Sequence, residues 1–150
     1  MRFLFWNTKG RDLVPNISRL AGLLGADVVF PAENQAAPAT VVATLDAATG
    51  QAFRYVAAIG CRIKAYTSIP LVSMHVARVD ATYMALRLAT VNTGTVLVVG
   101  VHLPSKLRYS ASTQRRFASD LAEEIRRLER AHDTAGTLLT VQRYSGSTPA

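Results

Sequence analysis

Two short apolar runs separated by an amphipathic segment constrain the fold of this chain more than any other feature of its sequence. The runs are Arg2–Trp6 and Val28–Phe30, and the apolar residues between Leu13 and Leu24 recur at the spacing of one helical face. Asp12 and Gly25 flank that segment and are typical of the start and the end of a helix. A strand, a crossover helix and a second strand favour two adjacent parallel strands. The beginning of the sequence therefore predicts a βαβ unit.

The middle of the sequence predicts further strands, with few helical signals between them. The candidates are Phe53–Ala58, Arg62–Tyr66, His75–Val79, Ala81–Thr90 and Thr95–Leu103. The turn sequence Asn92-Thr93-Gly94 is typical of a hairpin, so the strands on either side of it are predicted to pair antiparallel. Residues Thr40–Gly50 are predicted to form a short strand and a turn.

The segment Ser112–Arg130 is the strongest helix prediction in the chain. One apolar stripe runs along it, formed by Phe117, Leu121, Ile125 and Leu128. Residues Thr137–Val141 predict one more strand. A chain of 150 residues without a break in composition has about the size of one domain. The fold class predicted from these patterns is α/β, with a mixed sheet and covering helices.

The charge of the chain favours partners that carry phosphate. Seventeen lysines and arginines against ten acidic residues give a net charge of +7. The segment between Asp46 and Asp80 contains no acidic residue, whereas four basic residues lie in it, Arg54, Arg62, Lys64 and Arg78. A positive surface raises the local concentration of polyanions such as nucleic acids.

Other compositional features exclude several classes of protein. A single cysteine, Cys61, excludes an intramolecular disulfide, and no cysteine and histidine cluster has the spacing of a zinc site. No glycine-rich phosphate loop is present, which argues against a nucleotide-dependent kinase or dehydrogenase. The apolar runs are too short for a membrane span or a signal peptide, so we expect a cytoplasmic protein without a membrane span.

Three polar residues stand where predicted strands end. Asn7 directly follows the first strand, Glu33 follows Phe30 by three residues, and His102 ends the apolar run Val96–Val101. Ligands of α/β sheets bind beyond the carboxyl ends of the strands, which makes these residues candidates for a site. Each also has an ordinary structural interpretation, as a turn residue, a solvated loop acid and a hydrogen-bonded core histidine, respectively.

The motifs around these residues resemble the endonuclease/exonuclease/phosphatase superfamily, which has the DNase I-like fold. The motifs are Phe5-Trp6-Asn7, Ala26–Glu33 and Val101–Lys106, the last followed by the predicted helix. The resemblance covers residues 1–139 and then ends, because residues 140–147 contain no Gly-Asp-x-Asn motif. It implies a partial domain over residues 1–139, similar to one half of the four-layer α/β sandwich, with an atypical tail over residues 140–150.

The resemblance implies a metal-dependent phosphodiester hydrolase of the nuclease or phosphatase type, in a truncated form. In this interpretation Glu33 binds Mg²⁺ or Mn²⁺, and Asn7 and His102 are the catalytic residues. Lys106 and Arg108 then bind the phosphate of a phosphoester substrate, for which nucleic acid is a candidate. The residues that activate the attacking water in the family, the Asp of Gly-Asp-x-Asn and a closing His, are missing, so whether the chain is an enzyme is left open.

Two alternatives fit the same sequence. One is a non-catalytic basic α/β domain that binds nucleic acid or other polyanions, and the other is a basic interaction domain without phosphate chemistry. The half-sandwich interpretation also predicts that the helices near residues 13–24 and 112–130 cover the same face of the sheet. The other face is then left apolar, without its partner sheet, and favours self-association.

Overall fold

The computed structural model of the chain describes residues 1–90, 94–103, 110–134 and 136–142. The strands are β1 (Phe3–Asn7), β2 (Val28–Ala32), β3 (Arg54–Val56), β4 (Ala65–Thr67), β5 (Met74–Val79), β6 (Tyr83–Thr90), β7 (Gly94–His102) and β8 (Gly136–Gln142). The α-helices are α1 (Val14–Leu24), α2 (Pro38–Thr49) and α3 (Ala111–His132), and a short 3₁₀ helix spans Leu71–Ser73. None of the helices in these ranges has the length and apolar character needed to cross a membrane.

The strands form two mixed sheets of four strands each. The first sheet has the order β1-β2-β4-β3 and the second has the order β5-β6-β7-β8. Strands β1 and β2 are parallel, with Asn7 opposite Ala32, which confirms the predicted βαβ unit. Strands β6 and β7 are antiparallel, with Thr90 opposite Gly94, which confirms the predicted hairpin pairing. Asn92 and Thr93 of its turn lie outside the described residues.

The two sheets pack face to face, and the helices cover their outer faces. Alternate side chains of each strand point to opposite faces, which produces three separate apolar layers. The layer between the sheets includes Val28, Phe30, Met84, Leu86 and Val98. The layer outside the first sheet joins Leu4 and Val29 to the buried faces of α1 and α2, and the layer outside the second joins Leu97 and Val99 to α3. The order of layers is therefore helix, sheet, sheet, helix.

The prediction of a single sheet with an uncovered apolar face is wrong. The face of the first sheet that does not carry α1 packs against the second sheet, and Phe30 and Leu86 are fully buried there. Helices α1 and α3 lie on the outer faces of different sheets rather than on one face. The apolar surface proposed for self-association is thus the interior of the protein.

The prediction of a strand and a turn over Thr40–Gly50 is also wrong, because these residues form most of α2. The helix has Pro38 in its first turn and ends at Gly50, which adopts a left-handed conformation with φ of 70°. Val41 and Leu45 are one helical turn apart and are buried against the first sheet. The β-branched residues of this segment favour a strand locally, but packing of this one face stabilises the helix.

A glycine in β7 marks a close approach of the two sheets near the ends of the strands. A Cβ atom on Gly100 would lie 3.3 Å from Cδ1 of Phe30 and 3.6 Å from Cε2 of Phe5, both in the first sheet. His102 lies two residues further along β7, so its side chain points to the same face of the second sheet. The close approach therefore places His102 against the end of β2.

Candidate functional site

Glu33 and His102 meet where the two sheets come together. The distance between Nε2 of His102 and Oε1 of Glu33 is 2.9 Å. The His102 side chain is 9% exposed and the Glu33 side chain is 32% exposed. Because a carboxylate only accepts hydrogen bonds, we assign the ring proton of this contact to Nε2. The contact joins the carboxyl end of β2 in the first sheet to that of β7 in the second.

The backbone of Glu33 has an unusual conformation. Its φ is 56°, in the left-handed region, and its N–H donates to the carbonyl of Arg62 at 2.8 Å. Lys9, which follows β1, also has a positive φ of 53°. Left-handed conformations of residues other than glycine cost about 1 kcal/mol or more and cluster at functional sites. Two such residues follow the neighbouring parallel strands β1 and β2 at this edge of the sheet.

Asn7 lies at the same edge, at the end of β1. Its Oδ1 accepts the N–H of Lys9 at 2.7 Å, which closes an Asx turn and leaves the amide NH₂ as the group that can donate to a ligand. The next residue, Thr8, donates its N–H and its hydroxyl to the carbonyl of Ala32 at 3.0 and 3.1 Å. Ala32 directly precedes Glu33, so these bonds fix the end of β1 against the end of β2.

Among the described residues, the imidazole ring of His102 forms a hydrogen bond through only one of its two nitrogens. Its backbone N–H donates to the carbonyl of Thr82 at 2.7 Å, and its Nε2 contacts Glu33. Nδ1 is buried and has no hydrogen-bond partner among the described residues. Nε2 is hydrogen-bonded to Glu33 and Nδ1 is enclosed. The ring of His102 therefore acts on the position of the Glu33 carboxylate.

The structure therefore brings Asn7, Glu33 and His102 to one edge of the sandwich, while their catalytic and metal-binding roles stay predictions. The predicted substrate-binding residues, Lys106 and Arg108, lie outside the described residues. Their role also stays a prediction.

An open cleft of about 390 Å³ adjoins Glu33. Its lining comes from the loops that follow β1 and β2 and from the connection between β3 and β4, and includes Lys9, Glu33, Asn34, Cys61, Arg62 and Lys64. Sequence reasoning noted Arg62 and Lys64 only as part of a basic segment, and missed Lys9 and Asn34 as site residues. The available signal was position, since Lys9 and Asn34 lie next to the predicted strand ends.

Lys64 is a partly buried cation in this cleft. Its Nζ donates to the carbonyl of Ala36 at 2.8 Å, and burial lowers the pKa of its ammonium group. Neither Lys64 nor Arg62 forms an ion pair with a carboxylate within the part of the chain that the structure describes. Among the described residues, the cleft lining has three basic side chains and one carboxylate, so it favours an anion.

Cys61 is half-buried at the cleft wall, and burial raises the pKa of its thiol. Since the thiolate is the reactive form, we expect Cys61 to react with a disulfide reagent at pH 8 about tenfold or more slowly in the folded protein than in urea. A stopped-flow measurement of labelling with and without urea checks this. Equal rates in the two states would show that the thiol is open to solvent.

Glu33 offers one carboxylate to a divalent cation. It is the only acidic residue among the described residues that line the cleft, and its Oε2 takes no part in the contact with His102. The described ranges contain no cluster of three or more His, Cys, Asp or Glu side chains that could hold a metal. Mg²⁺ sites in proteins typically use one or two carboxylates together with waters and substrate phosphate. Glu33 fits that role as a single protein ligand.

Known structures share the fold of this chain. No protein-family model matches the sequence, and a search of curated proteins finds no significant match. The crystal structure of TDP2 from C. elegans is 14% identical with a TM-score of 0.51, covering 86% of this chain and 43% of that one. Truncated C. elegans TDP2 is 15% identical with a TM-score of 0.50, covering 86% and 56%, respectively. The selenomethionine form of C. elegans TDP2 is 14% identical with a TM-score of 0.51, and the match covers 86% of this chain and 42% of that one.

This chain spans about half the length of those structures. At this level of identity the similarity shows the fold alone. The chain has a mixed α/β fold with covering helices that corresponds to about half of a DNase I-like sandwich, which confirms the predicted fold class. The described strands of this chain belong to two sheets, so the half-sandwich includes strands of both.

Proposed function

We propose that this chain supplies the metal-binding part of a site for phosphodiester hydrolysis. The observation that carries the proposal is the 2.9 Å contact between Glu33 and His102 at the carboxyl ends of strands from both sheets. The half-sandwich fold and the basic cleft beside Glu33 support it. The substrate class is a phosphoester, with nucleic acid as a candidate.

Each of the three residues has a separate task in this proposal. Glu33 would hold the cation, which would stabilise the charge on the phosphoryl oxygens and the leaving group. His102 donates to Oε1 and so fixes the orientation of the carboxylate, which leaves Oε2 for the cation. Asn7 donates its NH₂ group to a phosphate oxygen, because its Oδ1 is held by the N–H of Lys9. Lys106 and Arg108 add positive charge for the substrate.

Replacing Glu33 by glutamine should remove cation binding while the shape of the side chain at this position is kept. We expect Glu33→Gln to weaken Mn²⁺ binding by about 100-fold or more, because a neutral amide is a much poorer ligand than a carboxylate. Titration with Mn²⁺, followed by electron paramagnetic resonance of the free ion, measures this. Glu123→Gln is the matched control, since it removes the same charge from an exposed position on α3 and should leave Mn²⁺ binding unchanged.

The same titration tests the positioning role of His102. His102→Gln should weaken Mn²⁺ binding by about tenfold or more, as is typical for residues that orient a ligand of a metal. Equal Mn²⁺ affinity for the wild type and Glu33→Gln would overturn the proposed function.

The alternative is a binding domain without catalysis, which the basic lining of the cleft favours. This alternative predicts that Glu33→Gln does not weaken the binding of an oligonucleotide, and that Mn²⁺ binds nowhere with measurable affinity.

A further inference from the structure

We propose that the cleft beside Glu33 is a subsite for a second phosphate group of the ligand. The inference deepens the proposed function, because the first phosphate is the one that function places at Glu33. The subsite is formed by Asn34, Arg62 and Lys64, which lie in the cleft lining together with Lys9.

The charges of the cleft support this inference. Arg62 is exposed, and Lys64 is partly buried with its Nζ held by the carbonyl of Ala36. A partly buried ammonium group loses hydration, and no carboxylate compensates it among the described residues. Glu33 is the one acidic residue among the described residues of the lining, and its Oε1 is engaged by His102. An anion in the cleft would supply the missing negative charge.

Asn34 is a second, independent observation. The residue is 6% exposed, and its Oδ1 accepts the N–H of Ala36 at 2.8 Å, which fixes the other end of the amide as the NH₂ group. That NH₂ group is buried and has no hydrogen-bond partner among the described residues. Buried donors are nearly always paired in native proteins. Asn34 also lines the cleft, so a modest rotation of its amide would offer this donor to a phosphate oxygen bound there.

The position of the cleft indicates which class of ligand could fill it. Glu33 lines the cleft and also contacts His102, so a group at Glu33 and a group in the cleft are neighbours. A lone phosphomonoester would fill only one of the two places. The ligand that fits both carries two phosphates close together, as the backbone of a nucleic-acid strand and a polyphosphate chain both do.

Binding in the absence of divalent cations tests the subsite apart from the metal. The probes are pyrophosphate, followed by calorimetry, and a fluorescein-labelled hexamer of deoxythymidine, followed by anisotropy, both with a chelator present. We expect at least one probe to bind, and the double variant Arg62→Ala/Lys64→Met to bind it about tenfold or more weakly. For the hexamer, the double variant should reduce the slope of log affinity against log salt by about 1.4.

Two further variants make the test specific. Asn34→Asp keeps the acceptor for Ala36 and replaces the donor by a carboxylate oxygen, so it should weaken binding about tenfold or more. Arg54→Ala removes an exposed positive charge on β3, outside the cleft lining, and should change affinity less than about twofold. Circular dichroism checks that each variant is folded. If the double variant or Asn34→Asp is unfolded, the single variant Arg62→Ala, at an exposed position, replaces it in the comparison with the wild type.

The outcomes separate this inference from the proposed function. A preference for the hexamer or for pyrophosphate identifies the source of the two phosphates, and either one supports the subsite. The subsite is overturned if neither probe binds, if the double variant binds like the wild type, or if Arg54→Ala causes an equal loss. Loss of Mn²⁺ binding is a separate result, because it bears on Glu33 and not on affinity measured with a chelator.

Discussion

The 150-residue chain, assayed alone with Mg²⁺ or Mn²⁺, should hydrolyse phosphodiesters no faster than background. The chain contains a carboxylate for the cation and donors for the phosphate, but the described residues of the cleft lining include no second carboxylate and no histidine that could activate the attacking water. In the family that the sequence resembles, two residues beyond the matched region perform that step. General acid–base groups contribute about 10²–10⁴-fold each, so the absence of two corresponds to a loss of about 10⁴-fold or more.

The assay uses plasmid DNA and a chromogenic phosphodiester, with Glu33→Ala beside the wild type. The expected result is equal, background rates for both proteins. Metal-dependent turnover that Glu33→Ala abolishes would contradict this expectation and would show that another residue of the chain activates the water.

The largest effect on stability is expected for Phe30, at the centre of the layer between the sheets. Phe30 is fully buried, and its ring centroid lies 6.5 Å from that of Phe5. Phe30→Ala should lower the free energy of unfolding by about 3–5 kcal/mol, because it removes buried apolar surface and leaves a cavity. Urea unfolding followed by circular dichroism measures the change.

Two control variants show whether burial is the cause of this loss. Phe30→Leu keeps most of the volume and should cost about 1.5 kcal/mol or less, and Leu23→Ala, at a position 72% exposed, should stay within about 0.5 kcal/mol of the wild type. A loss below about 1 kcal/mol for Phe30→Ala would show that the two sheets do not depend on this packing.

The elements with local signals could be predicted from the sequence. The apolar runs of β1 and β2, the helical spacing of α1 between them and the stripe of α3 all lie within short segments. The shared edge of Asn7 and Glu33 follows from the parallel pairing of β1 with β2, which the crossover helix favours.

The division of the strands between two sheets could not be predicted in the same way. Which of the strands β3 to β7 pair with one another depends on side chains far apart in the chain. The interruption between the sheets lies at Pro70 and the 3₁₀ helix Leu71–Ser73, a weaker signal than the strands around it. In α2, local β-propensity opposed the helix and packing against the first sheet decided the outcome.

The cleft was missed because its residues belong to three separate loops. Lys9, Asn34 and Arg62 become neighbours only when β1, β2 and β4 are assembled side by side. Their residue types are ordinary for loops, so composition alone assigns them no role.

The contact between Glu33 and His102 makes the site depend on the packing of the two sheets. The two residues are 69 positions apart in the chain, whereas the cleft is assembled from residues between Lys9 and Lys64. His102 reaches Glu33 only when β6 and β7 are in place beside the first sheet. The cleft depends on the same docking, because the N–H of Arg62 donates to the carbonyl of Ala81 at 3.4 Å and Sγ of Cys61 lies 3.5 Å from the carbonyl of Tyr83 in β6. Loosening the interface between the sheets would therefore separate Glu33 from its histidine partner and open one wall of the anion cleft at the same time.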